Sequence, residues 1–390
     1  MENAEAAAAP PRVSALRRVW ERVDRASWIE SIRVTTWARL SFFVVAYAAT
    51  WFLSDTEGRV SVGLVEIWTR WDAVHFTDIA TYGYLSPEVH SESVAFFPLF
   101  PLLIDAVGKL GLSAPLAGML ITFLASIVAG TYLFRLTESD VGEGAGRRAL
   151  LYLFLFPTAV FLVAPYSEAV FLPGAIAAFY FARQNRWALV GIPAAVAMGA
   201  RLAGIFLLLG LFAEFLKQRD FTWERISKAS LSFAVGTVPL LLYGVFLSRA
   251  TGNFLEFKDA QYRGWGRMVM GPKESFLATW NTWNQDHPAN WLFAWRVEIL
   301  AAIVGLFFVG WALWRREWGY GVYMFATLAT LMTSTWYFSI PRMLLSLFPI
   351  PILLAHYTHD SPERHQNVLL VTAPLAVLGV IVFTRGMWFY

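Results

Sequence analysis

Residues 70–84, RWDAVHFTDIATYGY, place two carboxylates and an imidazole between two strongly apolar runs of the chain. If the segment is helical, Asp72 and His75 lie one turn apart on a common face. A carboxylate at the edge of hydrocarbon is costly, so a functional role is its default interpretation. The alternative is that Asp72 only caps a helix or pairs locally with Arg70. Asp78 has no obvious partner in the sequence, and a structural role is favoured for it.

The same helix is expected to carry Trp68 and Ile79 on the face of the carboxylate and the imidazole. Trp71 and the neighbouring rings are typical of a segment at the boundary of membrane and water. A carboxylate, an imidazole and a second carboxylate could ligate a divalent cation, but Asp78 projects away from the face of Asp72 in a regular helix. We therefore predict that no metal and no cofactor is required.

The composition indicates a membrane protein. Of 390 residues, 57% are hydrophobic and only 15% are charged, and the mean hydropathy is +0.51. A soluble globular chain has about 25% charged residues. The absence of cysteine excludes disulfides, thiol nucleophiles and thiolate metal sites, so any chemistry comes from carboxylates, His, Arg and hydroxyls. The net charge of +3 is small, and nothing predicts a nucleic-acid partner.

Apolar runs of about 15 to 20 residues predict membrane spans. They lie near 37–54, 114–135, 149–164, 167–182, 230–248, 297–314, 319–335, 340–356 and 367–384. Residues 188–216 are too long for one span, and MGARLAG interrupts them, which predicts two short helices that meet at Arg201. Residues 94–112 carry two prolines near their start and Asp105, which favours a re-entrant helix.

Basic residues set the expected orientation. The amino-terminal arm is rich in arginine, and under the positive-inside rule it is cytoplasmic. With eleven crossings the later short basic loops also lie inside, and the polar motifs gather on the opposite face. The prediction is a cytoplasmic basic arm and interfacial helix over 1–36, followed by one transmembrane domain over 37–390.

Five motifs resemble one family. They are RWDAVHFTDIATYGY, AFFPLFPLL, APYSEAVF, GARLAGI and YFSIPRMLLSLFPI, in this order over roughly residues 68–350. The chain resembles the PIG-V type mannosyltransferases, the GPI mannosyltransferase 2 family, and their bacterial relatives. That family belongs to the GT-C class, and the resemblance implies an all-α polytopic helical bundle with an amphipathic or re-entrant helix pair in the first outer loop. This chain departs from the family pattern at RLAG, which is apolar after the arginine where eukaryotic members continue with polar residues.

The resemblance implies transfer of a mannosyl residue from a polyprenyl-phosphate donor to a lipid, glycan or protein acceptor on the extracytoplasmic face of the cell membrane. Asp72 matches the catalytic acidic residue of the first outer loop, and His75 matches the histidine of the same motif. A carboxylate partly withdrawn from water has a raised pKa, which would suit Asp72 to act as the general base. Arg201 and Arg342 could fork onto phosphate oxygens, with His75 as a third donor; the alternative for each arginine is a snorkelling interface residue.

Other candidates remain ambiguous. Glu168 could orient a sugar hydroxyl, pair with an arginine or cap a helix, and Tyr166 and Ser167 share this ambiguity. Residues 249–296 carry spaced Trp and Tyr residues that suit sugar stacking or an interfacial helix, with the second slightly preferred. The candidate substrate-binding set is Arg70, Trp71, Tyr166, Glu168, Arg201, Gln261, Trp265 and Arg342, with His287 worth testing.

A transporter or lipid flippase is the main alternative, because intramembrane Asp, Glu and Arg residues and Pro-interrupted helices also occur there. Two features disfavour it. The chain has no detectable internal halves, and its ionisable residues cluster toward one predicted face and not at the midplane. A non-catalytic membrane scaffold leaves Asp72 and His75 unexplained.

Overall fold

The computed structural model describes residues 15–53, 63–222, 231–282 and 289–389. This part of the chain is helical and its only β feature is one isolated bridge, between Val269 and Ser334. Its α-helices are α1 (Ala15–Phe52), α2 (Asp72–Tyr82), α3 (Leu99–Gly108), α4 (Ala114–Asp140), α5 (Ala145–Phe154), α6 (Glu168–Arg183), α7 (Gly191–Ala200), α8 (Gly204–Lys217), α9 (Ser232–Thr251), α10 (Glu256–Trp265), α11 (Pro272–Thr282), α12 (Ala289–Trp314), α13 (Trp318–Met332), α14 (Ile340–Ser346), α15 (Pro349–Thr358) and α16 (Pro362–Thr384).

Four helices of the described part are long and apolar enough to cross a membrane. They are Ala114–Asp140, Leu231–Thr251, Ala294–Trp314 and Pro362–Thr384. The α14 and α15 pair passes the same test together but is bent by 74°, so it is a broken span or a re-entrant loop. The fold is an all-α membrane bundle, as the sequence predicts, and the number of eleven crossings stays a prediction.

Two expected spans are interrupted. The run 149–164 is not one helix, because α5 ends at Phe154 and a separate 3-10 turn covers Ala159–Leu162. The run 340–356 breaks at Leu347, whose φ of −78° and ψ of 68° are not helical, and α15 begins at Pro349. Unbroken apolar composition therefore overestimates helix length in these two runs.

The break expected within residues 188–216 is present, whereas the re-entrant path expected of residues 94–112 stays a prediction. Residues 188–216 form α7 and α8, and Arg201 lies at the break between them. The segment between α1 and α4 holds the short helices α2 and α3, which pack against each other. At the amino terminus, α1 runs without interruption through residues 36 and 37, so the expected interfacial helix and the first span are one helix.

The expected helical face beginning at Trp68 is wrong. Trp68 lies in a separate 3-10 turn and is buried edge-on against Phe43, with ring centroids 5.3 Å apart. The reason is Trp71, whose φ of +53° and ψ of −122° are not helical and are rare for a residue with a side chain. Helix α2 therefore starts at Asp72 itself.

Close helix packing positions the site. Helices α6 and α7 approach until the missing Cβ of Gly174 would lie 2.6 Å from the Pro193 carbonyl oxygen. Helices α8 and α13 meet in the same way at Gly210, where a Cβ would lie 2.6 Å from that of Tyr323. Small residues permit such backbone contact in membrane bundles, where packing substitutes for a hydrophobic driving force.

Candidate active site

A cavity of about 420 Å³ opens where α2, the start of α6, the α7–α8 break, α10, α13 and α14 converge. Eight of the predicted site residues line it. They are Trp71, Asp72, His75, Tyr166, Arg201, Gln261, Trp265 and Arg342. Glu168 lies just behind the wall, and Arg70 contributes its backbone and not its side chain to the arrangement.

A chain of ion pairs crosses the cavity wall. Arg342 Nη1 lies 2.5 Å from Asp72 Oδ2, and Arg342 Nε donates to Glu168 Oε1. The same Glu168 oxygen accepts from Arg201 Nη1 at 2.6 Å. Glu168 is fully buried, and Arg342 is 7% exposed. Of the alternatives for Glu168, the geometry shows pairing with both arginines, and Asp72 pairs with Arg342 instead of Arg70.

The expected raised pKa of Asp72 is wrong. Burial would raise this pKa, but the charge and hydrogen bond of the Arg342 guanidinium outweigh it, with smaller help from His75 and Arg201. The pKa of Asp72 therefore lies below its usual range. In this state the carboxylate is an ionised ion-pair partner and a weak proton acceptor.

Aromatic rings fix Arg342 from the other side. Its guanidinium carbon lies 4.5 Å from the ring centroid of Tyr166 and 4.9 Å from that of Phe161. The Tyr166 hydroxyl donates to the backbone oxygen of Arg70 at 2.9 Å, which ties the APYSEAVF motif to the turn before α2. Two sequence motifs thus hold a guanidinium that belongs to a third.

Arg201 reaches the site because α7 ends at the preceding residue, Ala200. Its φ of −156° and ψ of 147° are extended, and α8 resumes at Gly204. A Cβ on Gly204 would lie 2.5 Å from the Met198 Cα, so this reversal requires glycine or a shift of the backbone. The freed guanidinium also donates to Ser167 Oγ at 3.1 Å. The apolar RLAG sequence therefore supports the loop geometry and the arginine supplies the polar contact.

A residue that the sequence interpretation missed holds the helix of Arg342. Glu298 on α12 is buried and accepts from the backbone N–H of Ser339 at 2.6 Å and of Ile340 at 2.8 Å. These are two of the unpaired donors at the start of α14. Ser339 has a φ of +65°, so the chain turns sharply before the helix. The only sequence signal for this role of Glu298 is that it is an isolated acidic residue within an apolar run.

His75 faces the aromatic part of the cavity. Its Nδ1 lies 2.8 Å from Ser93 Oγ, and its ring stacks on Phe96 at 4.8 Å. Burial lowers the pKa of His75 despite the nearby Asp72 carboxylate, so the ring is neutral at pH 7. A neutral imidazole donates from one nitrogen and accepts at the other, so His75 supplies at most one donated hydrogen bond.

One face of α10 forms the opposite wall. Lys258, Gln261 and Trp265 share this face and line the cavity, and the Trp265 ring lies 5.9 Å from that of His75. The slightly preferred interpretation of this segment as a headgroup-resting helix therefore accounts for only its outer face. His287 lies outside the described residues.

Arg267 is a second residue that the sequence interpretation missed. Gly266, with a φ of +62°, ends α10 in a left-handed turn, and the next residue points back to the cavity. Arg267 Nη2 donates to the Phe338 oxygen at 3.3 Å, and its Nε is buried without a partner among the described residues. Burial lowers the pKa of Arg267 to about 10, so it stays cationic at pH 7.

Asp78 is not part of the cavity wall. Within the described ranges, no group of three or more His, Asp or Glu side chains is arranged to hold a metal ion. The cavity's chemistry is therefore one carboxylate among several cations, together with aromatic rings and an apolar wall.

Comparison with known proteins finds relatives of part of the chain. Residues 54–219 match the family model described as Mannosyltransferase (PIG-V). GPI alpha-1,6-mannosyltransferase 2 of Cricetulus griseus is 36% identical over 157 residues, which cover 37% of this chain and 30% of that protein. The Mus musculus protein of the same name is 34% identical over 168 residues, 40% of this chain and 33% of that protein. The chain therefore spans about a third of the length of these curated relatives.

The fold has a counterpart among solved structures. ArnT from Cupriavidus metallidurans, crystallised with undecaprenyl phosphate, superposes with a TM-score of 0.53 at 16% identity and covers 89% of this chain and 65% of that one. At this identity the likeness concerns the fold alone. The resemblance read from the motifs is confirmed over residues 54–219, which match the PIG-V mannosyltransferase model, and the helical fold is similar to that of this ArnT structure.

Proposed function

We propose that this protein is a membrane glycosyltransferase that moves a mannosyl residue from a polyprenyl-phosphate carrier to a hydroxyl group of a lipid, glycan or protein acceptor. The observation that carries the proposal is the chain of ion pairs from Asp72 through Arg342 and Glu168 to Arg201 at the wall of the cavity. It provides a base for the acceptor and fixed positive charge for a departing phosphate. The site is proposed to open to the extracytoplasmic face, in keeping with the basic amino-terminal arm.

The reaction forms a bond between the acceptor oxygen and the anomeric carbon while the bond from that carbon to the carrier phosphate breaks. The acceptor proton passes to Asp72, and the bonding electron pair leaves with the phosphate oxygen. Positive charge develops on the sugar ring and negative charge on the departing phosphate. The departing phosphate needs no proton, because fixed guanidinium groups stabilise its charge.

Because Asp72 is paired with Arg342, binding of the donor phosphate would also raise the basicity of Asp72. Arg342 forms bidentate contacts readily, and a phosphate that approaches it competes with the carboxylate for its N–H groups. Asp72 then loses the partner that lowers its pKa and becomes a stronger base. Basicity of Asp72 would thus rise only when the donor is bound.

Arg267 and Lys258 supply the remaining positive charge. Arg201 and Arg342 are largely compensated by Glu168 and Asp72, whereas Arg267 has a buried Nε that no described residue satisfies. A phosphodiester brings one negative charge and accepting oxygens that fit such a group. We assign Arg267 and Lys258 as the first ligands of the donor phosphate.

The rest of the cavity divides into apolar and aromatic parts. Leu202, Phe206 and Met343 line it on the side of α8 and α14 and suit an isoprenoid chain. Trp265 and His75 form the aromatic part, where a sugar ring stacks and hydrogen-bonds. The solved structure of the ArnT neighbour holds undecaprenyl phosphate, which supports a carrier of this class.

The decisive experiment measures mannosyl transfer in membranes from radiolabelled polyprenyl-phosphate mannose. Asp72→Asn keeps the size and removes the base, so transfer should fall by about 10² to 10⁴-fold. Asp78→Asn is the matched control on the same helix, and it should retain transfer because Asp78 does not line the cavity.

Transfer that survives both Asp72→Asn and Asp72→Ala would remove Asp72 from the chemistry. Uptake of the labelled lipid across vesicles without any transfer would instead favour a transporter. Equal loss in the Asp72 and Asp78 variants would also contradict the assignment, since only one of them faces the cavity.

A further inference from the structure

A second cavity lies between α1, α4 and the chain before α6 and shares no lining residue with the active-site cavity. Its volume is about 10 Å³, the space of one water molecule or one monatomic ion. Thr35 and Arg39 reach it from one face of α1, and Ser126 reaches it from α4.

Arg39 is a buried cation without a buried anion. It is 7% exposed, and its Nη2 donates to Thr122 Oγ1 at 2.7 Å and to the Val163 backbone oxygen at 2.6 Å. Both partners are neutral, and no described carboxylate forms an ion pair with it. A buried charge is costly unless an opposite charge compensates it. Arg342 is equally buried, and it pairs with the carboxylates of Asp72 and Glu168.

Three polar atoms of the cavity wall lack a hydrogen-bond partner in the described structure. They are Arg39 Nη1, Thr35 Oγ1 and Ser126 Oγ, and each is buried. All three groups can donate a hydrogen bond, and none of them carries negative charge. The remaining side chains of the wall are apolar. They are Ala38, Phe42, Phe154, Ala159, Leu162 and Val163.

We propose that this cavity binds one monatomic anion, which is chloride under cellular conditions. A water molecule would satisfy the two hydroxyls but leave the charge of Arg39 uncompensated. Phosphate and sulfate carry four oxygen atoms each and are too large for a cavity that holds about one water-sized sphere, to which a monatomic anion is closer in size. The anion would tie α1 to α4 and to Val163, four residues before Ser167, and so stabilise the segment that leads into the active site. The proposal does not depend on the transferase activity.

Crystallography with bromide tests the site directly. The 390-residue chain is crystallised with sodium bromide in place of chloride, and anomalous differences are measured at the bromine edge. We expect a peak within hydrogen-bond reach of Arg39 Nη1 and Ser126 Oγ. Water density at this position with no anomalous signal would overturn the proposal.

Thermal unfolding in detergent provides the solution test. At constant ionic strength, exchange of gluconate for chloride should raise the Tm of the wild type in a saturable manner. Ser126→Ala should weaken the apparent chloride affinity about tenfold, and Arg39→Gln should abolish the response. Arg135→Gln is the control, because Arg135 joins α4 to α1 through Asp24 and Ser27 and already has a carboxylate.

Two outcomes contradict the anion site in solution. One is a wild-type Tm that does not depend on chloride. The other is a Ser126→Ala variant whose chloride response equals that of the wild type, and this comparison decides even where Arg39→Gln fails to fold.

Discussion

Arg342 and Asp72 lie 270 positions apart in the sequence, and their side chains form an ion pair of 2.5 Å at the cavity wall. The pair joins the first motif of the chain to the last, across α2 and α14. Because the partner of Arg342 on its other side is Glu168, one guanidinium organises three motifs. Predictions about the site therefore begin with this residue.

Substitution of Arg342 by lysine should separate charge from geometry. Lysine keeps one positive charge but cannot span two carboxylates, so kcat/KM for transfer should fall by on the order of 10²-fold. Arg342→Gln should also lower the stability by about 3–5 kcal/mol, since Asp72 and Glu168 lose their shared cation. Arg183→Lys is the control, because Arg183 also joins two carboxylates, Glu214 and Glu317. Equal effects of the two lysine variants on transfer would argue against a role of Arg342 in chemistry.

Arg267→Gln should act on donor binding. Removal of a guanidinium that contacts the donor phosphate should raise the KM for polyprenyl-phosphate mannose about tenfold with a smaller change in kcat. Arg263→Gln is the control, because Arg263 lies on the neighbouring helix turn and pairs with Glu256 at the surface. A donor KM that is unchanged in Arg267→Gln would place the phosphate elsewhere.

The ion pair of Asp72 predicts how stability depends on pH. The pKa of Asp72 is depressed in the folded state, so its contribution to stability is complete above its unfolded pKa of about 3.9. The contribution is lost as the pH falls through the lower folded value. The difference in Tm between wild type and Asp72→Asn should thus be constant from about pH 5 to 8 and shrink below about pH 4. A difference that grows on acidification would contradict the ionised pair.

Glu298 should hold the start of α14. Glu298→Ala leaves two backbone donors without their carboxylate, which should cost about 1–3 kcal/mol of stability and reduce transfer through displacement of Arg342. Glu298→Gln keeps one accepting oxygen and should cost less. Tm and transfer measured on the same preparations check both effects, and an alanine variant as stable as the wild type would refute the role.

Chelation should leave transfer unchanged. Asp72 is committed to an arginine, and Asp78 lies outside the cavity wall, so the first motif offers no set of metal ligands. Transfer measured after exhaustive dialysis against EDTA, with and without added Mg²⁺ or Mn²⁺, checks this. Loss of activity that one specific cation restores would show that a metal takes part.

The sequence predicts the helices and the site residues better than it predicts their partners. Residue type and flanking apolarity identify Asp72, Arg201 and Arg342, because ionisable groups in such surroundings are rare and costly. Which carboxylate meets which guanidinium depends on how distant helices pack, and hydropathy carries no information on this. The wrong pKa direction for Asp72 follows from this gap, since burial alone was visible in the sequence.

Missed residues share a second cause. Arg267 sits in a loop after a glycine turn, and Glu298 sits inside a long apolar run, so neither belongs to a motif with recognisable spacing. The early start at Trp68 was wrong because helical periodicity does not register a single residue with positive φ. Local backbone exceptions of this kind become visible only in coordinates.

Trp71 and Ser339 are both non-glycine residues with positive φ, of +53° and +65°, and each directly precedes a helix that bears one member of the Asp72–Arg342 pair. Such conformations cost on the order of 1–3 kcal/mol each and persist only where the surroundings enforce them. The backbone conformations of Trp71 and Ser339 therefore set the directions in which α2 and α14 begin, and these directions bring Asp72 and Arg342 together. A change to an ordinary backbone conformation at either residue would separate Asp72 from Arg342. The contact between these two side chains therefore depends on packing throughout the bundle.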